Sequence, residues 1–253
     1  MKTLSVQQPW ASAICTGVKD IENRTWQPKE APGRILIHAS AKKVPKNFDG
    51  TVFNLEVVSA LTNMRLFGIL PQYENLPLGA IIGYVDVVGF DTDNDSIWAG
   101  VESIHWQLEN AYLFDEPIEE VKGKLGLFDY PLDENNLPPA HKVELNYPAL
   151  EGDHLTVPLS NEFMALIQDG EKEFTMDMCD PYIIETICQE DSFELKPVKK
   201  ITFTHEGKQV TREVEEYGWD AFRDANDNDI VLNPEDDKDK QVPWAYAIYK
   251  LKV

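Results

Sequence analysis

The sequence predicts an α+β fold built from many short strands and a few helices, with the pattern repeated in the two halves of the chain. Three observations carry this expectation. Short β-branched or alternating apolar runs recur along the chain, which is how strands of a small β-barrel read. Apolar residues at spacings of three and four over 53–66 mark a helix between such runs. An apolar helix, a glycine, any residue, a lysine and a strand follow one another from Trp10, and the same order returns 153 residues later. There Phe163 matches Trp10, Ile167 matches Ile14, Gly170 matches Gly17 and Lys172 matches Lys19. That is the signature of an internal duplication; two ordinary helix–glycine–strand junctions are the plainer alternative.

The elements follow in order. Leu4–Val6 reads as a strand end. Pro9 suits the first turn of a helix, where its missing N–H would have no partner anyway. Trp10, Ala13 and Ile14 share a helical face, and Gly17 is a natural stop. Lys19 to Trp26 then reads as extended, with Glu22, Arg24 and Trp26 on one side and Ile21 on the other. Pro28, Pro32 and Gly33 form a loop before the strand 34–40, which alternates Leu36, His38 and Ser40 against Ile35, Ile37 and Ala39. Gly79–Phe90 is a β-branched strand. Strands are also expected over 106–114 and over 120–130, the second bent at Gly123 and Gly126. Residues 131–153 are rich in Pro, Asn and Asp. The expected organisation is therefore one domain over 1–135, a linker over 136–153 and a second domain over 154–253. In that second part 200–217 reads as a hairpin turning at Glu206–Gly207, and 244–253 as a closing strand.

The chain has 253 residues and a net charge of −21, with 23 basic against 44 acidic side chains. Such a balance excludes a general nucleic-acid coat protein. Its distribution is uneven, however: residues 1–48 hold eight basic and three acidic residues. A local positive region on an acidic body can still bind a polyanion. Three cysteines without metal or framework spacing suit a reducing compartment. Pro9 interrupts any signal-like apolar run, and no segment approaches the ~20 apolar residues that span a bilayer. A cytoplasmic chain without a membrane partner is expected.

Lys19, Glu22 and Arg24 bring three charges together within six residues. In a partly wet cleft Arg24 offers a planar fork to phosphate or a base edge, and Glu22 can accept from an exocyclic amine. Lys19 can contact phosphate, or act as a base if its pKa is depressed. Trp26 is the better candidate for stacking an unpaired base, since Trp10 sits on an apolar helix face. The alternative is an ion pair from Glu22 to Arg24 or Lys19 that ties helix to strand. His38 and Ser40 share a strand face and are candidates for lining the same space; no third member makes them a catalytic triad.

These residues, in this order, resemble the ASCH domain (activating signal cointegrator homology) of the PUA-like superfamily. The resemblance rests on Leu4-Ser5, Gln8-Pro9-Trp10-Ala11, the signature G-x-K-x-x-E-x-R as Gly17, Lys19, Glu22 and Arg24, then Trp26, Gly33-Arg34 and Ile37-His38-Ala39-Ser40. Gly79–Gly83 resembles the family's central strand and 110–126 its last strands. It implies a small β-barrel with flanking helices and a cleft lined by the signature, and a role in binding RNA or a modified nucleoside. A bacterial branch of the superfamily hydrolyses N4-acetylcytidine with a Lys-x-x-Thr pair and a separate Glu. Glu22 stands where that Thr would be, a departure that favours binding; an amidohydrolase or ribonuclease using Lys19 and Glu22 is the alternative. In the second half Gly170, Lys172 and Thr175 are closer to the hydrolase pattern, but Asp177 occupies the Arg position. A further alternative is a protein-interaction module whose acidic second domain docks a partner.

No pattern calls for a cofactor or metal. Asp91, Asp93, Asp95 and Glu102, and again Asp224, Asn226, Asn228 and Glu235, have the spacing of a calcium loop. Both lack its glycine and are read as solvated turns.

Overall fold

The computed structural model describes residues 1–43, 54–190, 192–231, 236–238 and 240–252. It is a mixed α+β structure with two sheets. The chain divides into two compact units: the described residues of Met1–Asn47 and Leu70–Leu145, and those of Phe48–Ile69 and Asn146–Val253.

In the first unit β1 (Lys2–Gln8) leads into α1 (Trp10–Cys15), β2 (Ile21–Arg24) and β3 (Gly33–Lys43). Gly17 ends α1 at φ +83°, a backbone state that costs a residue with Cβ but not glycine. β3 returns parallel to β1, pairing Leu36 with Thr3 and His38 with Ser5. After α2 (Leu55–Leu66) come β4 (Ala80–Asp91), β5 (Ile104–Ile118), β6 (Leu127–Asp129) and β7 (Ala140–His141). The strand order is β2-β5-β4-β3-β1-β6, with β7 on β5.

Both faces of this sheet are covered. Leu4, Val6, Ile35, Ile37, Val85, Val87 and Trp106 pack under Ala11, Ile14 and Cys15 of α1. Leu36, Ile81, Tyr84 and Phe114 form a cluster of their own, against which Leu132, Leu137 and Ala140 pack. The alternation expected over 34–40 is present, yet residues 35–39 are all buried, because each parity meets its own cluster.

The second unit contains β8 (Ala149–Glu151), β9 (His154–Pro158), α3 (Asn161–Gln168), β10 (Glu173–Asp177), α4 (Pro181–Ile187), β11 (Lys200–His205), β12 (Lys208–Ala221) and β13 (Ala245–Leu251). β11 runs parallel to β9, and the hairpin β11–β12 turns at Glu206–Gly207, both at positive φ. In the order β10-β13-β12-β11-β9-β8 the first five strands follow the sequence of β2-β5-β4-β3-β1, while the edge strand β8 precedes β9 in the chain where β6 follows β5. Each path has two ends, and among the described residues no pairing joins β2 to β6 or β10 to β8.

Three details differ from the sequence expectation. Residues 119–126 form a loop, and only Leu127–Asp129 of the expected bent strand pairs with β1. The units divide between Leu145 and Asn146, and the interval read as linker contributes β7 and β8. Finally, α2 belongs with the second unit, although the chain passes through it between β3 and β4. Its described part starts at the Asn54 cap, whose side chain accepts from Glu56 N–H; Phe53, read as its first apolar contact, lies outside the described residues.

The polar side of α2 explains its allegiance. Ser59 Oγ donates to Asp177 at 2.6 Å, and Asn63 Nδ2 donates to the Asp177 carbonyl at 2.8 Å and to Asp180 at 3.2 Å. Leu55 and Val58 pack with Cys179 and Trp244. Asp177 also accepts from Trp244 Nε1, and Asp180 caps α4 by accepting from Tyr182 N–H. All these donors are neutral, so desolvation dominates and raises both carboxyls, Asp180 to about 6.

This has a consequence for stability. A carboxyl whose folded pKa lies above its unfolded value holds its proton longer when folded, so its contribution worsens as pH rises between the two values. Wild-type stability minus that of Asp180→Asn is therefore expected to fall by roughly 2–3 kcal/mol between about pH 4 and 7. Urea unfolding at several pH values measures it, and a flat difference would contradict the assignment.

Candidate functional site

The site grows from the junction of α1 and β2. Lys19 N–H donates to the Ala13 carbonyl, which holds the lysine under the end of α1. The Lys19 side chain then turns inward and is 5% exposed; Glu22 is 7% exposed. Glu22 takes both neighbouring cations: Oε2 lies 3.2 Å from Lys19 Nζ and Oε1 2.9 Å from Arg24. Lys19 Nζ also donates to the Ile21 carbonyl. Burial pushes the Lys19 pKa below its ordinary value, while the Glu22 carboxylate opposes the shift. The ion pairing weighed from the sequence is thus present, in both of its forms at once.

Arg24 extends the network. The nitrogen that meets Glu22 also donates to the Ser5 carbonyl at 2.9 Å, tying β2 to β1. Arg24 Nε is buried and has no hydrogen-bond partner among the described residues. Asn23, of opposite parity, holds the 91–103 loop: it donates to the Trp98 carbonyl and accepts from Gly100 N–H and Ser103 Oγ. Its neighbours Glu22 and Arg24 are thereby fixed in direction.

Ser5 and His38 are paired across β1 and β3. His38 Nε2 lies 2.9 Å from the Val121 carbonyl, which only accepts, so this nitrogen carries the proton. Nδ1 then accepts from Ser5 Oγ at 3.1 Å. Burial lowers the His38 pKa, in keeping with a neutral ring. Gly123 closes over the pair: a Cβ there would lie 2.7 Å from both His38 Cε1 and Ser5 Oγ. Only glycine admits so close an approach.

Trp26 is half-buried. Its ring meets Trp106 edge-on at 4.9 Å, its carbonyl accepts from Trp106 Nε1, and Gly126 sits against it. Trp10 packs at the edge of the core, 6.1 Å from Trp98. Ser40 shares the face of His38, but its hydroxyl donates to the Lys42 carbonyl. In the second unit Lys172 and Thr175 are exposed on or beside β10, while Phe174 and Met176 fill the core.

The structure therefore brings Lys19, Glu22 and Arg24 into one network, joined to His38 through Ser5. It leaves Ser40, Lys172 and Thr175 outside it. Ser5, Asn23, Val121 and Gly123 were not singled out as site residues. The dense glycines and lysines of 122–126 were the available signal, and they had been read as a bent strand.

The two acidic turns are organised by their own bonds. Asp91 is engaged by Asn94, Gln107 and His105. Asp224 accepts from the backbone of Asn226 and Asn228; Glu235 lies outside the described residues.

Residues 4–120 match the family model of the ASCH domain. The chain contains an ASCH domain. Human activating signal cointegrator 1 is 36% identical over 87 residues, which is 34% of this chain and 13% of the human protein. The chain thus spans only a small part of that relative's length. The matched residues include the network just described, Lys19, Glu22 and Arg24. No helix among the described residues is long and apolar enough to cross a membrane.

Removing one partner of a buried ion pair leaves an uncompensated charge. Glu22→Ala is accordingly expected to cost about 3–5 kcal/mol, and Lys19→Met combined with Glu22→Leu to cost less than Glu22→Ala alone. Denaturant unfolding of the three proteins decides it; a loss under about 1 kcal/mol for Glu22→Ala would place the pair with weak surface bridges.

Proposed function

We propose that the chain recognises RNA, or a modified nucleoside within it, through the ASCH site of its first unit. The observation that carries this reading is Arg24: its guanidinium is anchored by Glu22 and the Ser5 carbonyl, and its side chain remains 24% exposed, two residues before the half-buried Trp26. A pre-oriented, partly exposed fork followed on the same stretch by a half-exposed indole suits a nucleobase or phosphate. The excess of basic over acidic residues in 1–48 supports the same reading.

Glu22 is a less direct participant than its sequence position suggested. Each of its oxygens meets a cation and its side chain is 9% exposed, so it orients Arg24 rather than accepting from a base amine. The amidohydrolase reading asks Lys19 to reach a substrate and take its proton. Buried, and donating to Glu22 and Ile21, it is poorly placed for that. His38 is assigned to the wall of the site; Ser40, whose hydroxyl donates to the Lys42 carbonyl, is not.

The repeated strand order supports a tandem duplication of a PUA-like unit, with 154–253 as the diverged copy. On this reading the exposed Lys172 and Thr175 are remnants without a cleft.

Arg24→Ala and Trp26→Ala are each expected to weaken binding of a labelled single-stranded RNA, Trp26→Ala by about 1–3 kcal/mol. Fluorescence anisotropy reads this directly, and unchanged affinity in Arg24→Ala would remove the site assignment. Incubation with N4-acetylcytidine is expected to leave it intact; release of acetate would favour the hydrolase instead.

A further inference from the structure

The loop 119–126 forms the rim of the ASCH site, and its composition is unusual for its surroundings. Residues 70–145 hold 15 acidic side chains and only three basic ones, Lys122, Lys124 and Lys142. Two of these three flank Gly123. Lys142 lies elsewhere, over the Tyr112 ring.

The loop's backbone explains why those two lysines face solvent. Val121 N–H donates to the Gly79 carbonyl, and the Val121 carbonyl accepts from His38. Gly123 is pressed onto Ser5 and His38, and Gly126, at φ +70°, turns the chain back beside Trp26. The backbone is thus anchored at Val121, Gly123 and Gly126, and the side chains between these points are left outside. Lys122 and Lys124 are exposed, and Leu125 is fully exposed at 100%. Lys124 Nζ lies 5.7 Å from the Phe128 ring centroid and helps to hold the Asp129 carboxyl below its ordinary pKa, behind the hydrogen bond and charge of Lys2. Glu119 and Glu120 precede the Val121 anchor and lie outside the anchored stretch.

We infer that Lys122 and Lys124 are phosphate contacts, and that the site takes a nucleotide carried within a single-stranded RNA rather than a free nucleoside. This rests on the RNA reading proposed above and narrows it. Arg24 and Trp26 hold the nucleotide, while the rim holds the phosphates on either side of it. In an acidic protein, two cations confined to the edge of such a site also select register, because the backbone is repelled elsewhere. Leu125, fully exposed in the same loop, is available as an apolar contact for a sugar or neighbouring base.

The test is an anisotropy titration of a short fluorescein-labelled single-stranded RNA of mixed sequence, between about 50 and 200 mM salt. Wild type is compared with Lys122→Gln/Lys124→Gln and with Arg24→Ala, and unlabelled cytidine and cytidine monophosphate serve as competitors. The loop variant is expected to bind about tenfold more weakly at low salt, with a salt slope shallower by about 1.4, or ~0.7 for each lost phosphate contact. Both lysines are exposed, so its circular dichroism and melting should match wild type. Equal affinity and slope in the loop variant, with binding still lost in Arg24→Ala, would overturn the inference and leave the RNA reading standing. Cytidine competing as well as the RNA does would likewise overturn it. Failure of wild type to bind RNA at all would remove both.

Discussion

The first unit is organised around one buried carboxylate. Glu22 sits between Lys19 and Arg24, and neither cation could be buried where it is without it. Two of the three charges cancel, so the cluster keeps one net positive charge in a site shielded from solvent. That charge is carried outward by Arg24, the more exposed of the two cations. The chain of contacts then runs from Arg24 to the Ser5 carbonyl, from Ser5 Oγ to His38, and from His38 to the 119–126 loop. The carboxylate thus sets the end of α1, the direction of β2 and, through β1, the seat of the rim.

Much of this was legible in the sequence because it is local. The Gly17 stop, the alternation of Glu22 and Arg24 and the burial of Ile35 and Ile37 follow from periodicity and backbone preference, which act within a few residues. The hairpin at Glu206–Gly207 is local in the same sense. What was not legible depends on distant pairing. The 119–126 segment leads directly into the strand at Leu127, yet it is held as a loop by His38, 83 residues away, which takes its Val121 carbonyl. Likewise α2 is a helix by its own pattern, but its membership of the second unit follows from Ser59 and Asn63 meeting Asp177, 118 and 114 residues further on. No window of sequence contains both partners of such contacts.

Glu22 illustrates how a motif can be found correctly and its role still misjudged. Spacing shows which charges share a face, but it does not show how many of their hydrogen-bonding positions remain free. Glu22 meets a cation on each oxygen and is 9% exposed, whereas the Arg24 side chain is 24% exposed. The residue better able to meet a ligand is therefore the one that reaches solvent, and that needs the three-dimensional partners.

The same comparison separates the two units. Five strands of each sheet follow one order, and β2 and β10 occupy the same edge. Where the first unit has Arg24, the residue 153 positions later is Asp177. Its carboxylate accepts from Ser59, from Trp244 and from Cys179 N–H, all neutral and all within the unit. No cation answers it, so burial raises its pKa, and the donors around it serve α2 and the loop leading to α4. Lys172, which matches Lys19 in the repeat, lies in the open instead of beneath a helix end. A buried carboxylate saturated by neutral donors holds structure together but offers a polyanion nothing. Where the first unit joins a Glu to two cations, the position 153 residues after Arg24 holds an Asp without a cation among the described residues, and it serves as an internal joint.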